Sequence, residues 1–256
     1  MRVPERHKAI LELAQKTDLL KVDDVSEELN VSRETVRRDF VYLDSRGLLR
    51  RIHGGARAIV QATAERSFTD RRSLHADAKK IIGHLAAQQI EDGETLMIDT
   101  GSTTVEFVTA LPSHLNLTII TNSFEIASLL SVDDARRDIY VLGGKYRHET
   151  QQTLGTFCLD QLDRFRADHA IIGVGAISSS GDLMDYDPQE AQLARGMIAR
   201  SQKTTILANK SKFDTFALTR FSTIEEVDCI VTDEIPNAKI QRIAEIGNVS
   251  IIFPET

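Results

Sequence analysis

The residues best suited to chemistry in this sequence are the arginines of the segment Ser32–Phe40. Val36, Phe40 and Leu43 recur at helical spacing, which predicts an amphipathic helix whose apolar face packs against neighbouring helices. The opposite face carries guanidinium groups, which can form forked hydrogen bonds to guanine in the major groove of DNA. We expect contacts with base edges or phosphates from Ser32, Arg33, Thr35, Arg37 and Arg38.

Two shorter apolar patterns precede this helix and predict two more helices, so that three helices follow one another. The hydroxyl of Ser32 is placed to cap the third helix. Residues 48–52 are extended in character and end in a glycine turn at His53–Arg57, which predicts a basic β-hairpin, the wing. We expect Arg51 and His53 on this wing to reach phosphates or the minor groove. Residues 1–57 are therefore predicted to form a winged helix-turn-helix.

The charge of the chain is unevenly distributed. The whole sequence has a formal charge of −7, whereas residues 1–57 contain 12 Lys and Arg against 10 Asp and Glu. Between Arg33 and Arg57 there are seven arginines against three acidic residues. Such charges can simply form a solvated helix face. Their place on the third helix of a capped unit, directly before a basic hairpin, favours a DNA-binding surface.

The rest of the chain alternates apolar strands with helix-length segments. The strands are expected at 95–98, 117–121, 139–142, 170–174, 204–207 and 229–231. Because these runs are apolar throughout, they predict a largely parallel sheet buried on both faces, with ligands at the carboxyl ends of the strands. Residues 58–76 lack an apolar period and are expected to connect the two domains, so that the second domain spans 77–256.

Polar residues and glycines follow three of these strands. The first group opens a helix, where free backbone N–H groups and the helix dipole attract an anion such as phosphate. Taken alone, each group could equally be a capped turn. Three in succession favour a shared pocket, whose expected residues are Asp99, Gly101, Ser102, Thr103, Thr104, Thr121, Asn122, Ser123, Gly143, Gly144 and Arg147.

The sequence resembles the DeoR family of bacterial sugar-catabolism regulators over essentially its whole length. The family's recognition-helix pattern is met from Ser32 to Phe40, and its His-Gly-Gly-Ala wing at His53–Ala56. The resemblance implies a sensor domain similar to the ribose-5-phosphate isomerase fold. In it Asp99–Thr104 would hold phosphate or sugar hydroxyls, Arg147 would add positive charge, Glu190 would face the sugar and Lys212 would close the pocket. Glu190 could instead be a helix-face charge, and Lys212 a surface lysine.

Two further short segments of the sequence give information about the ligand that the resemblance implies. Family members commonly carry Asp-His or Asp-Ser where Asn209–Lys210 stands here. This difference removes a carboxylate and adds a cation, which favours a more anionic ligand. Gly181–Asp187 is similar to the loop in the branch that contains glycerol-3-phosphate repressors. The expected effector is therefore a phosphorylated sugar or a glycerol phosphate.

We therefore expect a repressor of a carbohydrate or polyol catabolic operon that leaves its operator DNA when effector binds. The likeness to regulators of this kind implies a homo-oligomer, either a dimer or a tetramer, in which residues around Phe68, Arg71 and Arg72 transmit the change. The alternative function is that of a sugar-phosphate isomerase, but residues 173–177 contain no carboxylate for proton transfer. An activator or an architectural DNA-binding protein also stays open.

The composition and the scattered histidines limit which other classes of protein the chain could belong to. The seven histidines lack metal-ligand spacing, so neither a metal nor another cofactor is expected. Cys158 and Cys229 are far apart in sequence and are expected to be buried and reduced. No run approaches the roughly 18 apolar residues of a membrane span, and charged residues rather than a secretory run follow Met1. We therefore expect a cytoplasmic protein that does not contact a membrane.

Overall fold

The computed structural model describes residues 3–17, 19–45, 49–52, 54–58, 67–132 and 137–254. The chain divides into two compact units, Met1–Gln61 and Ala62–Thr256. Each unit has hydrophobic clusters of its own. The predicted arginines therefore lie in the smaller unit, and the predicted strand-end residues lie in the larger one.

The N-terminal unit consists of three helices and a small antiparallel sheet, as predicted for a winged helix-turn-helix. Phe40 and Leu43, on one face of the third helix, are buried with Ile10 of the first helix and Leu49 of the hairpin. The elements are α1 Val3–Lys16, β1 Leu20–Lys21, α2 Val22–Glu28, α3 Arg33–Ser45, β2 Leu49–Ile52 and β3 Gly55–Ala58. The strand order of the sheet is β1-β3-β2.

The turn of the wing depends on two glycines. Gly54 has a φ of +81°, a backbone conformation that side chains with a Cβ rarely adopt. A Cβ on Gly55 would lie 2.2 Å from the carbonyl oxygen of Leu20, because β3 passes close to β1 at this point. His53, which was predicted to contact DNA, lies outside the described residues.

The C-terminal unit is built on a seven-stranded sheet. Its strands are β4 Thr95–Ile98, β5 Leu117–Thr121, β6 Arg137–Val141, β9 Ala167–Gly173, β12 Ser201–Leu207, β14 Cys229–Val231 and β15 Ser250–Ile252. Their order is β15-β14-β12-β9-β4-β5-β6, and all neighbouring strands are parallel, which confirms the predicted parallel sheet. A hairpin and a second small sheet accompany them, formed by β7 Lys145–Arg147, β8 Gln152–Leu154, β10 Ala176–Ile177, β11 Asp182–Asp185 and β13 Thr219–Thr223.

Helices cover both faces of the seven-stranded sheet. Leu96 and Ile98 of β4 face one hydrophobic cluster, whereas Met97 between them faces the other. This alternation explains why the strands are apolar at successive positions. The helices are α4 Phe68–Ser73, α5 Ala76–Ala87, α6 Ser102–Ala110, α7 Phe124–Leu130, α8 Thr156–Leu162, α9 Pro188–Ile198 and α10 Ala238–Gly247.

One helix lies within the segment that the sequence predicted as the connection between the two domains. Within 58–76 the chain forms α4, which begins after Ser67, whose hydroxyl accepts a hydrogen bond from the Asp70 backbone at 3.1 Å. Only Phe68 of this helix is buried, so it has no apolar period to reveal it. Cys158 and Cys229 are buried, as expected. No helix of the described part of the chain is long and apolar enough to cross a bilayer.

Candidate functional site

The arginine face of α3 is exposed as predicted. Arg33, Arg37 and Arg38 are exposed, whereas Val36 and Phe40 are buried. The geometry thus separates a packing face from a basic face on a single helix, as DNA-recognition helices require.

The first turn of α3 is fixed by its cap. The Ser32 hydroxyl accepts a hydrogen bond from the backbone N–H of Thr35 at 3.1 Å, which confirms the predicted N-cap. It also lies 2.9 Å from the Thr35 hydroxyl. Thr35 is only half-exposed, so its side chain is less accessible than those of the arginines.

Among the residues of the N-terminal unit that the structure describes, the exposed arginines pair with acidic residues that are themselves exposed. Glu34 lies 4.0 Å from Arg37 and 3.5 Å from Arg38, and Asp23 lies 2.8 Å from Arg33. Surface ion pairs of this kind contribute little stability, because water screens both charges. The guanidinium groups can therefore exchange these carboxylates for phosphates or base edges at low cost.

Asp39 is the one acidic residue of the arginine segment that the chain buries, and the sequence interpretation missed its role. Its carboxylate accepts hydrogen bonds from Arg6 at 2.5 and 3.0 Å and lies 2.9 Å from the His7 ring nitrogen. Burial acts to raise the pKa of Asp39, but the bonds from Arg6 and His7 outweigh it and hold the pKa below its usual value. A signal was available, because Asp39 falls three residues after the buried Val36, on the apolar face of α3.

The wing adds exposed arginines to the N-terminal unit. Arg50 and Arg51 lie on β2 with exposed side chains. The backbone N–H of Arg51 donates to the Asp44 carboxylate at 3.1 Å, which joins the hairpin to the last turn of α3. The backbone of Arg51 is thus held beside the end of α3.

In the C-terminal unit, the loop between β4 and α6 lies at the carboxyl edge of the sheet. Asp99 is buried, and its carboxylate accepts a hydrogen bond from the Thr100 backbone at 2.7 Å. Gly101 precedes α6, and Ser102 and Thr103 form the first turn of that helix. Thr104 is fully buried and its hydroxyl donates to the Gly101 carbonyl at 2.9 Å, so it shapes the loop from behind.

The residues after β5 are buried supports of this edge. The Thr121 hydroxyl donates to the Ile98 carbonyl at 2.7 Å, and the Ser123 hydroxyl caps α7. The Asn122 side chain accepts from the Thr100 hydroxyl at 3.1 Å and donates to Gln152 at 3.0 Å. These three residues tie neighbouring loops together, and their contact with an effector stays a prediction.

Gly143 and Gly144 form the turn into the hairpin β7–β8. The Gly143 backbone donates to the Gln161 side chain at 3.0 Å. Gly144 has a φ of +155°, and a Cβ there would lie 2.7 Å from the Leu154 carbonyl oxygen. The hairpin in turn carries Arg147 and Gln152, so that the two glycines position these side chains.

A polar network links this hairpin to α9. Arg147 lies 2.6 Å from Asp187 and 3.2 Å from Glu190, and Gln152 donates to Glu190 at 2.8 Å. Glu190 therefore faces the predicted site residue Arg147, and also Gln152, which was not predicted, instead of being only a helix-face charge. Through Gln152 and Asn122, the network continues to the loop that follows β4.

The buried carboxyl group of Asp99 is held close to other acids. Burial raises the pKa of Asp99 well above its usual value, and the negative charges of Asp185 and Glu190 raise it further. The nearby charge of Arg71 opposes this change. A carboxyl group whose neutral form is favoured can donate a hydrogen bond to a hydroxyl or phosphate oxygen.

Two lysines complete the carboxyl edge. Lys212 follows β12 in a short 3-10 turn, and its ammonium donates to the Gly175 carbonyl at 3.2 Å. Lys79 of α5 is buried and was not among the predicted residues. Its spacing could have revealed it, because it lies three residues before the buried Ile82, on the apolar face of its helix.

Comparison with known proteins places these features in a family. The DeoR-like helix-turn-helix domain matches residues 6–62, and the DeoR C terminal sensor domain matches residues 74–234. The glycerol-3-phosphate regulon repressor of Escherichia coli K12 is 32% identical over 243 residues, covering 95% of this chain and 96% of that protein. The transcriptional repressor GlcR of Bacillus subtilis 168 is 32% identical over 254 residues, covering 98% and 96%.

Solved structures show a more distant likeness. Ribose 5-phosphate isomerase A of Methanocaldococcus jannaschii has a TM-score of 0.40 at 18% identity and covers 54% of each chain, so the match spans about half of that enzyme. The translation initiation factor eIF-2B of Pyrococcus horikoshii OT3 has a TM-score of 0.44 at 18% identity, covering 60% of this chain and 62% of that one. The two relatives above, which match over nearly their whole length, are named as repressors. With family matches in both units, the chain belongs to the DeoR family of DNA-binding transcriptional repressors.

Proposed function

We propose that this cytoplasmic repressor controls a carbohydrate or polyol catabolic operon and leaves its operator when a phosphorylated sugar or glycerol phosphate binds. The observation that carries the proposal is the pair of surfaces described above. One is an arginine face on α3, and the other is a charged carboxyl edge on a parallel sheet. The repressor acts as a homo-oligomer, either a dimer or a tetramer, as two-fold operators commonly require.

The DNA contacts come from α3 and the wing. Arg37 and Arg38 provide donors for guanine edges, and Arg33, Ser32 and Thr35 bind nearby phosphates or bases. From the wing, Arg51 and His53 bind phosphates beside the groove. Exposure of the three α3 arginines, whose described ion-pair partners are screened by water, supports this assignment.

The effector binds at the carboxyl edge of the sheet. Gly101, Ser102 and Thr103 offer the N-terminal donors of α6 to its phosphoryl group, because that end of a helix favours anions. Arg147 and Lys212 add positive charge, and Glu190 and Asp99 bind its hydroxyls. Thr104, Thr121, Asn122 and Ser123 support the site through buried hydrogen bonds. Gly143 and Gly144 form the turn that positions Arg147.

A glycerol phosphate or sugar phosphate fits this edge in chemical terms. It combines a dianionic group with neighbouring hydroxyls, and the edge combines cations with carboxyl groups. The names of the relatives agree with this class, since one is a glycerol-3-phosphate regulon repressor. The proposal therefore takes the polyol and sugar phosphates as the compounds to test.

Operator binding by the full chain tests both parts of this function. DNA fragments from upstream of its own and neighbouring genes are titrated in an anisotropy assay with wild type, Arg37→Ala and Arg38→Ala. Each variant should lose about 5- to 150-fold in specific affinity, the usual effect of removing an arginine from a base edge. The phosphorylated compounds are then added to the wild-type complex, and at least one should release the DNA.

The matched control is Arg242→Ala, which removes an exposed arginine of α10 that pairs with Glu245 at 3.2 Å. It should bind operator like the wild type, and all variants should melt at similar temperatures because the deleted side chains are exposed. Unchanged operator affinity in both α3 variants would overturn the DNA assignment. A panel in which no compound releases the operator would overturn the effector assignment.

A further inference from the structure

β6 is an end strand of the seven-stranded sheet, and among the described residues it pairs only with β5. The backbone N–H of Leu142, directly after β6, donates to the Thr121 carbonyl of β5 at 2.8 Å. Because the backbone groups of successive residues point to opposite sides of a strand, those of Ile139 and Val141 face away from β5. Such an edge is a template for pairing with another strand.

The edge of β6 lacks the features that usually protect an exposed strand. Its sequence contains no proline and no lysine, and its register with β5 is unbroken. Its charges, Arg137 and Asp138, both lie at the amino end. The residues nearer the carboxyl end are apolar, and Tyr140 and Val141 among them are exposed. The exposed half of the edge is therefore suited to a partner that brings apolar side chains.

Aromatic side chains lie beside this edge. Tyr140 is 49% exposed, and its ring centre lies 5.3 Å from that of Phe165. Phe157 of α8 is 74% exposed. Gln161, one helical turn after Phe157, accepts a hydrogen bond from the Gly143 backbone just beyond β6. Phe157 therefore lies on the side of α8 that is turned towards β6.

A second exposed ring pair lies beyond the carboxyl end of β6. Phe124 and Tyr146 meet edge to face with 5.4 Å between ring centres, and both are half-exposed. A half-exposed aromatic side chain offers about 100 Å² for burial. With Val141 and the strand edge, the exposed rings provide about 600 Å² from each copy, which reaches the lower end of stable protein interfaces.

We propose that β6 pairs antiparallel with β6 of a second copy of this chain, across a two-fold axis at Tyr140. This inference rests on the proposed function, which requires a homo-oligomer, and it names the surface that joins the copies. A second copy fits because a two-fold interface needs a surface that is complementary to itself. Pairing at β6 would also unite the sensor domains of two winged units, as a two-fold operator requires.

The axis position follows from the side chains of β6. With the axis at Tyr140, Ile139 lies opposite Val141 of the second copy, and their outward backbone groups exchange hydrogen bonds. The two Tyr140 rings then meet on one face of the joined sheet, where aromatic pairs across strands are stabilising. An axis at Asp138 would instead place like charges directly opposite each other, which is unfavourable.

Disulfide formation in the full chain tests this register. In Tyr140→Cys the facing Cα atoms would lie about 4.5 Å apart, within the reach of a disulfide. Diamide, which takes up the thiol hydrogens, should therefore link the variant into a covalent dimer on a non-reducing gel. The matched control is Asp138→Cys on the same face, whose Cα atoms would lie about 14 Å apart and should stay unlinked. The native Cys158 and Cys229 are buried, so the wild type should also stay unlinked.

The strength of the association is measured by sedimentation velocity over a dilution series. Tyr140→Lys places ammonium groups opposite each other and should raise the dissociation constant of the pairing about tenfold or more. Ile246→Lys makes the corresponding change at an exposed residue of α10, which precedes β15 at the other end of the sheet. It should associate like the wild type. Equal melting temperatures check that the variants are folded, as expected for exposed positions.

Wild-type association in Tyr140→Lys would overturn the pairing through β6 and leave the proposed function intact. So would a covalent dimer that forms from Asp138→Cys and not from Tyr140→Cys. A wild-type protein that stays monomeric at every concentration, both with and without operator DNA, would overturn the homo-oligomer of the proposed function, and this inference with it.

Discussion

At the scale of single residues, Asp39 determines how the arginines of α3 are presented. Its carboxylate joins the third helix to Arg6 and His7 of the first. Because it is buried and paired, it fixes the rotation of α3 about its axis, and the neighbouring Arg37 and Arg38 consequently face the solvent. One acidic residue within a basic segment thus orients the arginines that we propose as DNA contacts.

Asp39→Asn should destabilise the N-terminal unit by about 3 kcal/mol, because it leaves the buried Arg6 cation without its counter-charge. Hydrogen exchange of the α1 and α3 amides in the full chain measures the loss. The low pKa of Asp39 means that its contribution is complete above about pH 4 and is lost as the pH falls further. That acid-dependent loss should disappear in the variant.

The control for this prediction is Asp23→Asn, which removes an exposed acid that pairs with Arg33. Its exchange protection should change little, because exposed ion pairs contribute little stability. Equal protection of α3 in Asp39→Asn and in the wild type would contradict the role assigned to the buried pair.

The role of a residue could be predicted from the sequence where the residue type and its spacing indicate the same role. Ser32 was predicted as a cap from its place before an apolar helix, and the structure confirms it. The burial of Asp39 and Lys79 was not predicted, because charged residues are usually exposed. Each is buried and hydrogen-bonded to a partner that is distant in sequence or lies on another helix. Such pairings depend on tertiary packing, which a single sequence does not display.

At the scale of elements, the parallel strands could be predicted and the smaller sheets could not. β4 and β5 are continuous apolar runs because helices cover both faces of their sheet. β10 and β11 have two and four residues, too few for a periodic signal. The helix α4 was missed for a similar reason, since one buried side chain gives no period.

The wing supplies a prediction at this scale, from two adjacent glycines with different constraints. A Cβ at Gly54 meets nothing within 4 Å, so Gly54→Ala carries only the cost of its positive φ, about 1 kcal/mol. A Cβ at Gly55 would overlap the Leu20 carbonyl, so Gly55→Ala must separate β3 from β1 and should cost about 2 to 3 kcal/mol.

Hydrogen exchange of peptides from the wing measures which of the two variants loses more stability. Operator affinity, measured at rising temperature, shows the functional effect. Gly55→Ala should lose operator binding at a lower temperature than Gly54→Ala. The opposite order would show that backbone conformation, and not the approach of β3 to β1, sets the requirement for glycine in this turn.

At the scale of the whole molecule, charge is divided between the two functions. Residues 1–57 contain 12 Lys and Arg against 10 Asp and Glu, whereas residues 58–256 contain 19 against 28. DNA therefore meets an attractive N-terminal unit and is repelled by the net charge of the remainder. A net acidic protein can bind nucleic acid because the field at a local basic surface, and not the total charge, governs the contact.

Release of the operator also belongs to this scale, because it requires that the effector bind the DNA-bound and DNA-free forms with different affinities. We expect a saturating effector to weaken operator binding by about 5- to 150-fold, the usual range of such coupling. By linkage, saturating operator must weaken effector binding by the same factor. Anisotropy titrations with and without effector, and calorimetric titrations with and without operator, measure the two factors.

Arg38→Ala provides the control for this coupling, since it should keep full effector affinity while its operator affinity is low. Adding operator DNA at a concentration that saturates the wild type should then leave its effector affinity almost unchanged. If a saturating effector left the operator affinity of the wild type unchanged, the effector would bind the DNA-bound and the DNA-free form of the protein with equal affinity. Occupancy of the carboxyl edge could then not control the operon, however tightly the compound binds.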